Sequence, residues 1–203
     1  MKTNNLHISN PLDSCDKIER IQKERQLWER LKKGDAQALE FLFRAYYSHL
    51  FDYGVKLARE QELVKDAIQE IFSYIWEKRR NLSAVDSIKA YLLVSLRRLL
   101  LNTLSKQRRQ KTAHHEFTME QIADVFSLED LIIFAEQEAS EQKRLQGAFK
   151  EIPARMREAL YLKMYDNLTY KEIAVIMNVR PQVVRNYLSE AYHRLKALLE
   201  SPT

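Results

Sequence analysis

The chain has 203 residues, of which 45% are hydrophobic and 30% charged, with a formal net charge of +5; this is typical of a water-soluble globular protein. Only three glycines and four prolines occur, with no proline between Pro11 and Pro153, so little interrupts helix formation. The single Cys15 rules out an internal disulfide, and we expect neither a signal peptide nor a membrane-inserted segment. Composition therefore predicts an all-α protein of the cytoplasm.

Charge is distributed unevenly along the chain. From Glu77 to Lys111 there are ten basic and two acidic residues, whereas eight acidic residues occupy the stretch from Glu116 to Glu141 before the first basic one, Lys143. A basic block followed by an acidic block is typical of a polyanion-binding module and a tether. We therefore predict a tail at 1–25 that can become helical near Ile18, a helical domain at 26–112, an acidic linker at 113–143 and a second helical domain at 144–203.

The first helices are predicted at 26–32 and 36–59. In the second of them, apolar residues from Leu39 to Leu57 recur at helical spacing, which indicates an inward face. Gly34 separates the two helices, and Asp35 is a residue type that caps helix N-termini.

The most regular helical pattern is "ELVKDAIQEIFSYIWEKRRNL". Its apolar stripe runs from Leu63 to Trp76 and predicts a buried face. On the opposite side lie Glu62, Asp66, Gln69, Glu70, Ser73 and Glu77. Periodicity alone leaves open whether this acidic face is merely solvated or binds a partner.

A loop is predicted at 79–87, because Asn81, Ser83, Asp86 and Ser87 favour turns and caps. A helix follows over about 88–107. Its leucines face inward, while Lys89, Arg97, Arg98 and Lys106 point to other sides.

The C-terminal segment contains the signals of a helix-turn-helix. Pro153 and Pro181 favour helix starts, and Thr169 with Glu172 has the spacing of a capping box. Asn178 tolerates the left-handed conformation needed at the corner. The last helix would then present Gln182, Arg185 and Asn186 near its N-terminus, where side chains reach base edges in a major groove. A helical corner in an ordinary bundle would show similar features.

These residues resemble the bacterial sigma factors of the extracytoplasmic-function group. The segment "DAIQEIFSYIWEKRRNL" is similar to region 2.2 of that family, through Asp66, Gln69, Glu70, Phe72 and Trp76. The segment from 152 to 199 resembles region 4 along its whole length. Together the two matches cover roughly 27–110 and 144–199, in the order and spacing of the family.

The resemblance implies a role for each polar surface. The acidic face would bind the clamp helices of core RNA polymerase, and the family also contacts the polymerase flap. The loop at 79–87 would capture a flipped base of the promoter −10 element, and Tyr91 would stack on the junction, unless Tyr91 is a core residue. The implied polymerase-binding residues are Asp66, Gln69, Glu70, Phe72, Ser73 and Glu77. The implied −10 residues are Arg79, Arg80, Asn81, Ser83, Tyr91, Arg97, Arg98, Asn102 and Lys106, and the implied −35 residues are Thr169, Lys171, Arg180, Gln182, Val183, Arg185, Asn186 and Tyr187.

The sequence departs from the family pattern at several of these positions. The usual Arg-Asn pair reads Arg97-Arg98, and the usual Asp reads Asn102. In the last helix, Val183 and Tyr187 replace residue types that contact DNA. Each lost contact is typically worth on the order of 1 kcal/mol or more, so we expect weak −35 binding and promoter choice that depends partly on another DNA-bound partner. An anti-sigma factor is a further partner that the resemblance suggests.

Other function classes find little support. The chain lacks a P-loop, a Rossmann glycine pattern and a His-Glu-x-x-His motif, so we expect no enzyme activity and no cofactor. His114-His115 lack neighbours at metal-ligand spacing apart from Glu116, so we expect no metal. The alternatives left open are an autonomous helix-turn-helix regulator with an N-terminal dimerisation bundle and an adaptor that binds only proteins.

Overall fold

The computed structural model describes residues 17–111 and 151–200. These residues form α-helices, one short 3-10 helix and connecting loops, so the all-α prediction is confirmed. The helices are α1 (Lys17–Lys32), α2 (Ala36–Ala58), α3 (Gln61–Lys78), the 3-10 helix (Arg79–Asn81), α4 (Ile88–Lys111), α5 (Ala154–Met164), α6 (Tyr170–Met177) and α7 (Pro181–Glu200). The predicted acidic linker and His114-His115 lie outside the described residues.

Helix α1 begins at Lys17, beside Ile18, where the tail is predicted to become helical, and it continues without a break into the firm helix predicted from residue 26. The reason is tertiary packing: Glu24, Trp28 and Leu31 are buried and follow one another at i, i+4 and i+7. The buried face of α1 thus begins before residue 26, in a segment whose sequence shows no sustained helical period of apolar residues.

Helices α2, α3 and α4 form the core of the N-terminal half. Asp35 caps α2 as predicted, accepting hydrogen bonds from the backbone N–H groups of Gln37 and Ala38. The apolar stripe of α3 is buried against α2 and α4 through Val64, Ala67, Ile68, Ile71, Phe72 and Ile75. Gly54 lets α2 approach α3 closely, because a Cβ atom at Gly54 would lie 2.6 Å from Cγ1 of Val64.

The C-terminal half contains the predicted helix-turn-helix in α6 and α7. The capping box is present, since Thr169 accepts from the backbone of Glu172 and the Glu172 carboxylate accepts from the backbone of Thr169. Asn178 adopts the left-handed conformation with φ 54°, which ends α6 and turns the chain toward α7, whose first residue is Pro181.

The two halves are packed against each other. Helix α6 lies beside α4, and the rings of Tyr53 on α2 and Tyr161 on α5 stack with centroids 6.4 Å apart. Tyr161 is almost fully buried. The structure therefore joins into one core two regions that the sequence predicts as separate domains.

Candidate nucleic-acid interface

The acidic face of α3 is exposed along its length. Asp66, Gln69, Glu70, Ser73 and Glu77 all have exposed side chains. Helical spacing of three or four residues places them in one continuous row. The row is a large acceptor surface that fits a cationic partner.

Phe72 does not belong to that surface, which corrects its assignment to direct polymerase contact. Its side chain is 6% exposed, and its ring packs edge-on against Phe43 at a centroid distance of 5.1 Å. Phe72 falls on the apolar stripe of α3, so burial in the core takes precedence. Phe72 therefore stabilises the core beneath the acidic face rather than contacting a partner directly.

The loop after α3 is held by α1. The indole Nε1–H of Trp28 donates a hydrogen bond to the backbone oxygen of Ser83 over 2.9 Å, and the Trp28 ring packs edge-on against Tyr91 with centroids 5.5 Å apart. A cavity of about 270 Å³ lies between α1 and the loop, lined by residues that include Glu24, Trp28 and Asp86. One buried indole thus fixes the loop relative to the start of α4.

Basic side chains next to this loop differ in availability. The Arg79 guanidinium lies over the Trp76 ring, 4.3 Å from the centroid, and donates to the Trp76 carbonyl over 2.6 Å. Arg80, Asn81 and Ser83 are exposed. Arg79 is consequently engaged in holding the end of α3, whereas the next residues are free to meet a ligand.

Helix α4 divides the predicted −10 residues between two faces. Tyr91, Arg98, Asn102 and Lys106 are spaced so that they share one side of the helix, and the last three are exposed. Tyr91 is partly buried, and this burial raises the pKa of its hydroxyl above the ordinary value. The side combines an aromatic ring with two cations, which suits a nucleic-acid strand.

Arg97 lies on the opposite side of α4 and is 5% exposed. Its Nε–H donates to Oε1 of Glu158 on α5 over 2.9 Å, and Nη2 lies 3.4 Å from Oε2. Burial by itself favours the neutral guanidine, but the charge and hydrogen bonds of Glu158 raise the pKa of Arg97 above its ordinary value. The predicted contact of Arg97 with DNA is therefore not available while the halves stay packed.

A second ionic cluster lies at the same interface. The buried carboxylate of Asp166, just after α5, is 2.8 Å from Nζ of Lys89 and 2.9 Å from Nδ1 of His49. Tyr165 donates a hydrogen bond to Asp52 over 2.6 Å. Glu158 and Asp166, two buried carboxylates of the C-terminal half, thus contact Arg97, Lys89 and His49 of the N-terminal half.

The start of α7 presents a polar surface. Gln182, Arg185 and Asn186 are exposed and linked to one another, because Gln182 donates to Asn186 over 3.0 Å and accepts from Arg185 over 3.1 Å. Val183 and Tyr187 are only partly exposed, and Tyr187 packs against the core. Thr169, Lys171 and Arg180 are also exposed. The predicted −35 set is thus mostly accessible.

Sequence reasoning missed three residues that the structure gives a role: Trp28, Glu158 and Asp166. The Glu158 and Asp166 carboxylates are buried, and no local pattern identifies their partners because these lie 61 or more positions away. Trp28 could have been found as the one aromatic residue on the first helix. Its hydrogen-bond partner, the backbone oxygen of Ser83, could not have been found from the sequence.

No helix in the described part of the chain is long and apolar enough to cross a bilayer. Residues 17–111 and 151–200 also contain no group of three or more potential metal-ligating side chains.

Comparison with known proteins identifies both halves. The family model for sigma-70 region 2 matches residues 42–110, and the model for sigma-70 region 4 matches residues 142–195. Together they cover more than half of the chain, in the order that the sequence predicted.

Relatives and solved structures agree. The chain is 25% identical over 162 residues to the extracytoplasmic-function RNA polymerase sigma factor SigM of Bacillus subtilis, covering 79% of this chain and 94% of that protein. It is 22% identical over 191 residues to the RNA polymerase sigma-H factor of Pseudomonas aeruginosa, covering 88% and 95%.

Two solved structures share the fold. CnrH in complex with the cytosolic domain of CnrY matches with a TM-score of 0.55 and 16% identity, over 89% of this chain and 99% of that one. The sigma factor RpoE of Bartonella quintana, in complex with the anti-sigma factor NepR, matches with a TM-score of 0.53 and 19% identity, over 81% and 98%. The chain therefore belongs to the sigma-70 family, as an extracytoplasmic-function sigma factor that carries regions 2 and 4 and serves promoter recognition in transcription initiation.

Proposed function

We propose that the acidic face of α3 docks on core RNA polymerase, that the loop at 82–87 and the exposed side of α4 bind the melted −10 element, and that the start of α7 binds the −35 element. The observation that carries this assignment is the exposed row from Asp66 to Glu77, a surface directly joined to the loop and to α4. Docking there brings the nucleic-acid side of α4 next to the polymerase.

The −10 surface has the parts that an unpaired strand requires. Arg98 and Lys106 offer cations for phosphates, and Tyr91 offers a ring at the end nearest the loop. Extruding a base costs a few kcal/mol of stacking. The indole of Trp28 holds the loop in place beforehand, which lowers the ordering cost that binding must offset.

The −35 surface is smaller. Of the side chains at the start of α7, Gln182, Arg185 and Asn186 are exposed and already ordered by mutual hydrogen bonds. Val183 and Tyr187 add little hydrogen-bonding capacity, so we propose weak recognition of this element and promoter choice that depends partly on a second DNA-bound partner. The protein itself performs no covalent chemistry and acts where the polymerase is, in the cytoplasm.

Regulation by a protein partner is part of the proposal. Among the solved structures with this fold, CnrH is in complex with the cytosolic domain of CnrY and RpoE is in complex with the anti-sigma factor NepR. We propose an anti-sigma factor for this chain as well.

The test is the affinity for core RNA polymerase of charge-reversal variants. We expect Glu70→Lys to weaken holoenzyme formation by about tenfold or more, and Asp66→Lys with Glu70→Lys to weaken it further, because each reversal places like charges in the interface. Glu40→Lys is the matched control, since Glu40 is an exposed helical glutamate on α2 whose partner is Arg44. Equal affinities of the Glu70→Lys and Glu40→Lys variants would refute docking through α3.

A further inference from the structure

Tyr74 on α3 is a large exposed ring that neither the helical pattern nor the family resemblance assigns to a function. Among the described aromatic side chains it is the most exposed, at 54%. Within the same residues its hydroxyl makes no hydrogen bond and its ring stacks on no other ring. A single exposed aromatic residue is common on protein surfaces, so the position of Tyr74 decides whether it has a role.

Tyr74 lies on the flank of α3 that faces α4. Phe72, two residues earlier, packs against Phe43 of α2, and two residues turn an α-helix by about 200°. Helix α3 packs against both α2 and α4, so the flank away from α2 is the one beside α4. Burial raises the pKa of the Tyr91 hydroxyl, and the nearby Tyr74 hydroxyl raises it further, which agrees with this placement.

The ring of Tyr74 is therefore next to the aromatic residue of the proposed −10 surface. Tyr91 has two aromatic neighbours, the buried Trp28, whose ring centroid is 5.5 Å away, and the exposed Tyr74. Successive bases of an unpaired strand bind to proteins by stacking on successive aromatic side chains. Two neighbouring tyrosines on adjacent helices offer platforms for two bases.

An available cation follows Tyr74 by one helical turn. Lys78 is exposed and forms no ion pair with any described residue. Residues four apart share one side of a helix, with Cβ atoms about 6 Å apart, so one nucleotide can contact both side chains. Two other cations near this flank are engaged elsewhere, because Lys89 contacts Asp166 and Arg79 lies over Trp76.

The carboxylates nearest to Tyr74 favour an uncharged base over a phosphate at the ring itself. Glu70 lies one turn before Tyr74 and Glu77 about one turn after it, and both are exposed. Their charges repel a phosphate group, whereas the face of a base carries no net charge. The ring of Tyr74 thus suits stacking, and Lys78 suits the phosphate.

We propose that Tyr74 and Lys78 extend the −10 surface onto α3, where Tyr74 stacks on the unpaired base beside the one at Tyr91 and Lys78 contacts the adjoining phosphate. This inference rests on the proposed function and adds two residues to it. The melted strand then crosses from α4 to α3 along the border of the acidic face.

The experiment measures binding of preformed holoenzyme to single-stranded oligonucleotides. Each strand of the −10 element of a promoter that the wild-type holoenzyme transcribes is tested separately, with 2-aminopurine at each position in turn to report stacking. We expect Tyr74→Ala to weaken binding of one strand about tenfold or more and to raise the fluorescence at one position, because losing one base–aromatic stack has an effect of that size. Tyr74→Phe keeps the ring and should bind like the wild type.

Lys78→Ala tests the phosphate contact. It should weaken binding of the same strand and reduce the slope of log affinity against log salt by about 0.7, the value for one phosphate contact on a single strand. Lys65→Ala is the matched control, since Lys65 is an exposed lysine seven residues before Phe72, on the flank that faces α2, and pairs with Glu62.

Two further measurements exclude indirect effects. Tyr192→Ala removes a tyrosine of α7 that is 49% exposed and should leave strand binding unchanged. Affinity for core polymerase should be the same in the wild type and in the Tyr74 and Lys78 variants, because both residues lie beside the acidic face rather than in its row.

Three results would overturn the inference: unchanged strand affinity in Tyr74→Ala, an equal loss in Tyr74→Phe, or a loss that follows weaker binding to core polymerase. Arg98→Ala with Lys106→Ala separates it from the proposed function, because these exposed cations belong to the −10 surface of α4. A loss in that double variant but not in Tyr74→Ala refutes only the extension onto α3. No loss in either refutes the proposed −10 surface itself.

Discussion

The guanidinium of Arg97 on α4 and the carboxylate of Glu158 on α5 form a buried ion pair with an Nε to Oε1 distance of 2.9 Å. Arg97 belongs to the half that matches sigma region 2, and Glu158 to the half that matches region 4. The pair fixes the relative position of the halves. It also engages Arg97, a residue that the family resemblance assigns to contact with DNA.

We expect the two members of this pair to be strongly coupled. Arg97→Met or Glu158→Leu alone leaves a buried charge without its partner and should cost about 3 kcal/mol, whereas the combined variant should lose much less. Urea unfolding of all four proteins measures the coupling. Additive losses would show that the two side chains do not act as a pair.

Asp35 predicts a specific pH dependence. The hydrogen bond from Arg30, helped by the backbone N–H groups of Ala38 and Gln37, lowers the pKa of the Asp35 carboxyl from its ordinary value of 3.8. A carboxyl whose pKa is lower in the folded state stabilises that state above pH 3.8, and the contribution disappears as the pH falls through the folded-state pKa.

The measurement compares urea unfolding midpoints of wild type and Asp35→Asn as a function of pH. Asparagine retains an N-cap acceptor but not the charge. We expect the difference between the proteins to be largest near neutral pH and to close in acid. A difference that is constant with pH would contradict this account.

The polar start of α7 predicts a position-specific effect on DNA binding. Arg185→Ala removes an exposed cation next to Gln182 and should weaken binding to a −35 duplex by about 1–3 kcal/mol in holoenzyme footprinting. Arg194→Ala is the control, because Arg194 lies later on the same helix and pairs with Glu190 at 2.6 Å. Equal losses in the two variants would indicate general charge attraction rather than a docked helix start.

Trp28 predicts that α1 supports the −10 loop. Trp28→Phe keeps an aromatic ring near Tyr91 but removes the hydrogen bond to Ser83, a change of about 1 kcal/mol. Hydrogen exchange in the segment 82–87 should become faster, and promoter melting by the holoenzyme should decrease. Tyr74→Phe, which alters a side chain that is 54% exposed, should change neither measurement.

At Gly54, the close packing of α2 on α3 should make alanine destabilising, although helix propensity favours alanine over glycine. Alanine in a helix is usually favoured over glycine by about 1 kcal/mol, but a Cβ atom at Gly54 would lie 2.6 Å from Cγ1 of Val64, and β-branched valine cannot easily move away. We expect Gly54→Ala to lower the free energy of unfolding by about 1–3 kcal/mol, measured in urea. Ser48→Ala on the exposed side of α2 should have little effect; a stabilised Gly54→Ala protein would show that α2 and α3 can separate slightly without loss.

Much of the local structure was predictable from the sequence. The caps at Asp35 and Thr169, the corner at Asn178 and the buried stripe of α3 depend on residues within a few positions of one another, and local backbone hydrogen bonds and helical periodicity are sufficient to specify them. The acidic face of α3 and the polar start of α7 follow from the same periodicity. What they bind remains a prediction that the charge-reversal and DNA-binding experiments test.

The sequence by itself determined the helices, the helix-turn-helix and the family, because each is encoded in short-range spacing of residue types. Only the tertiary structure decided that Trp28 holds the loop through Ser83, and that Arg97 and Lys89 face Glu158 and Asp166 rather than solvent. The physical reason is that hydrogen bonds and ion pairs between residues more than fifty positions apart depend on which helix surfaces meet in space. The periodicity of one helix identifies its buried face but not the residue that this face contacts.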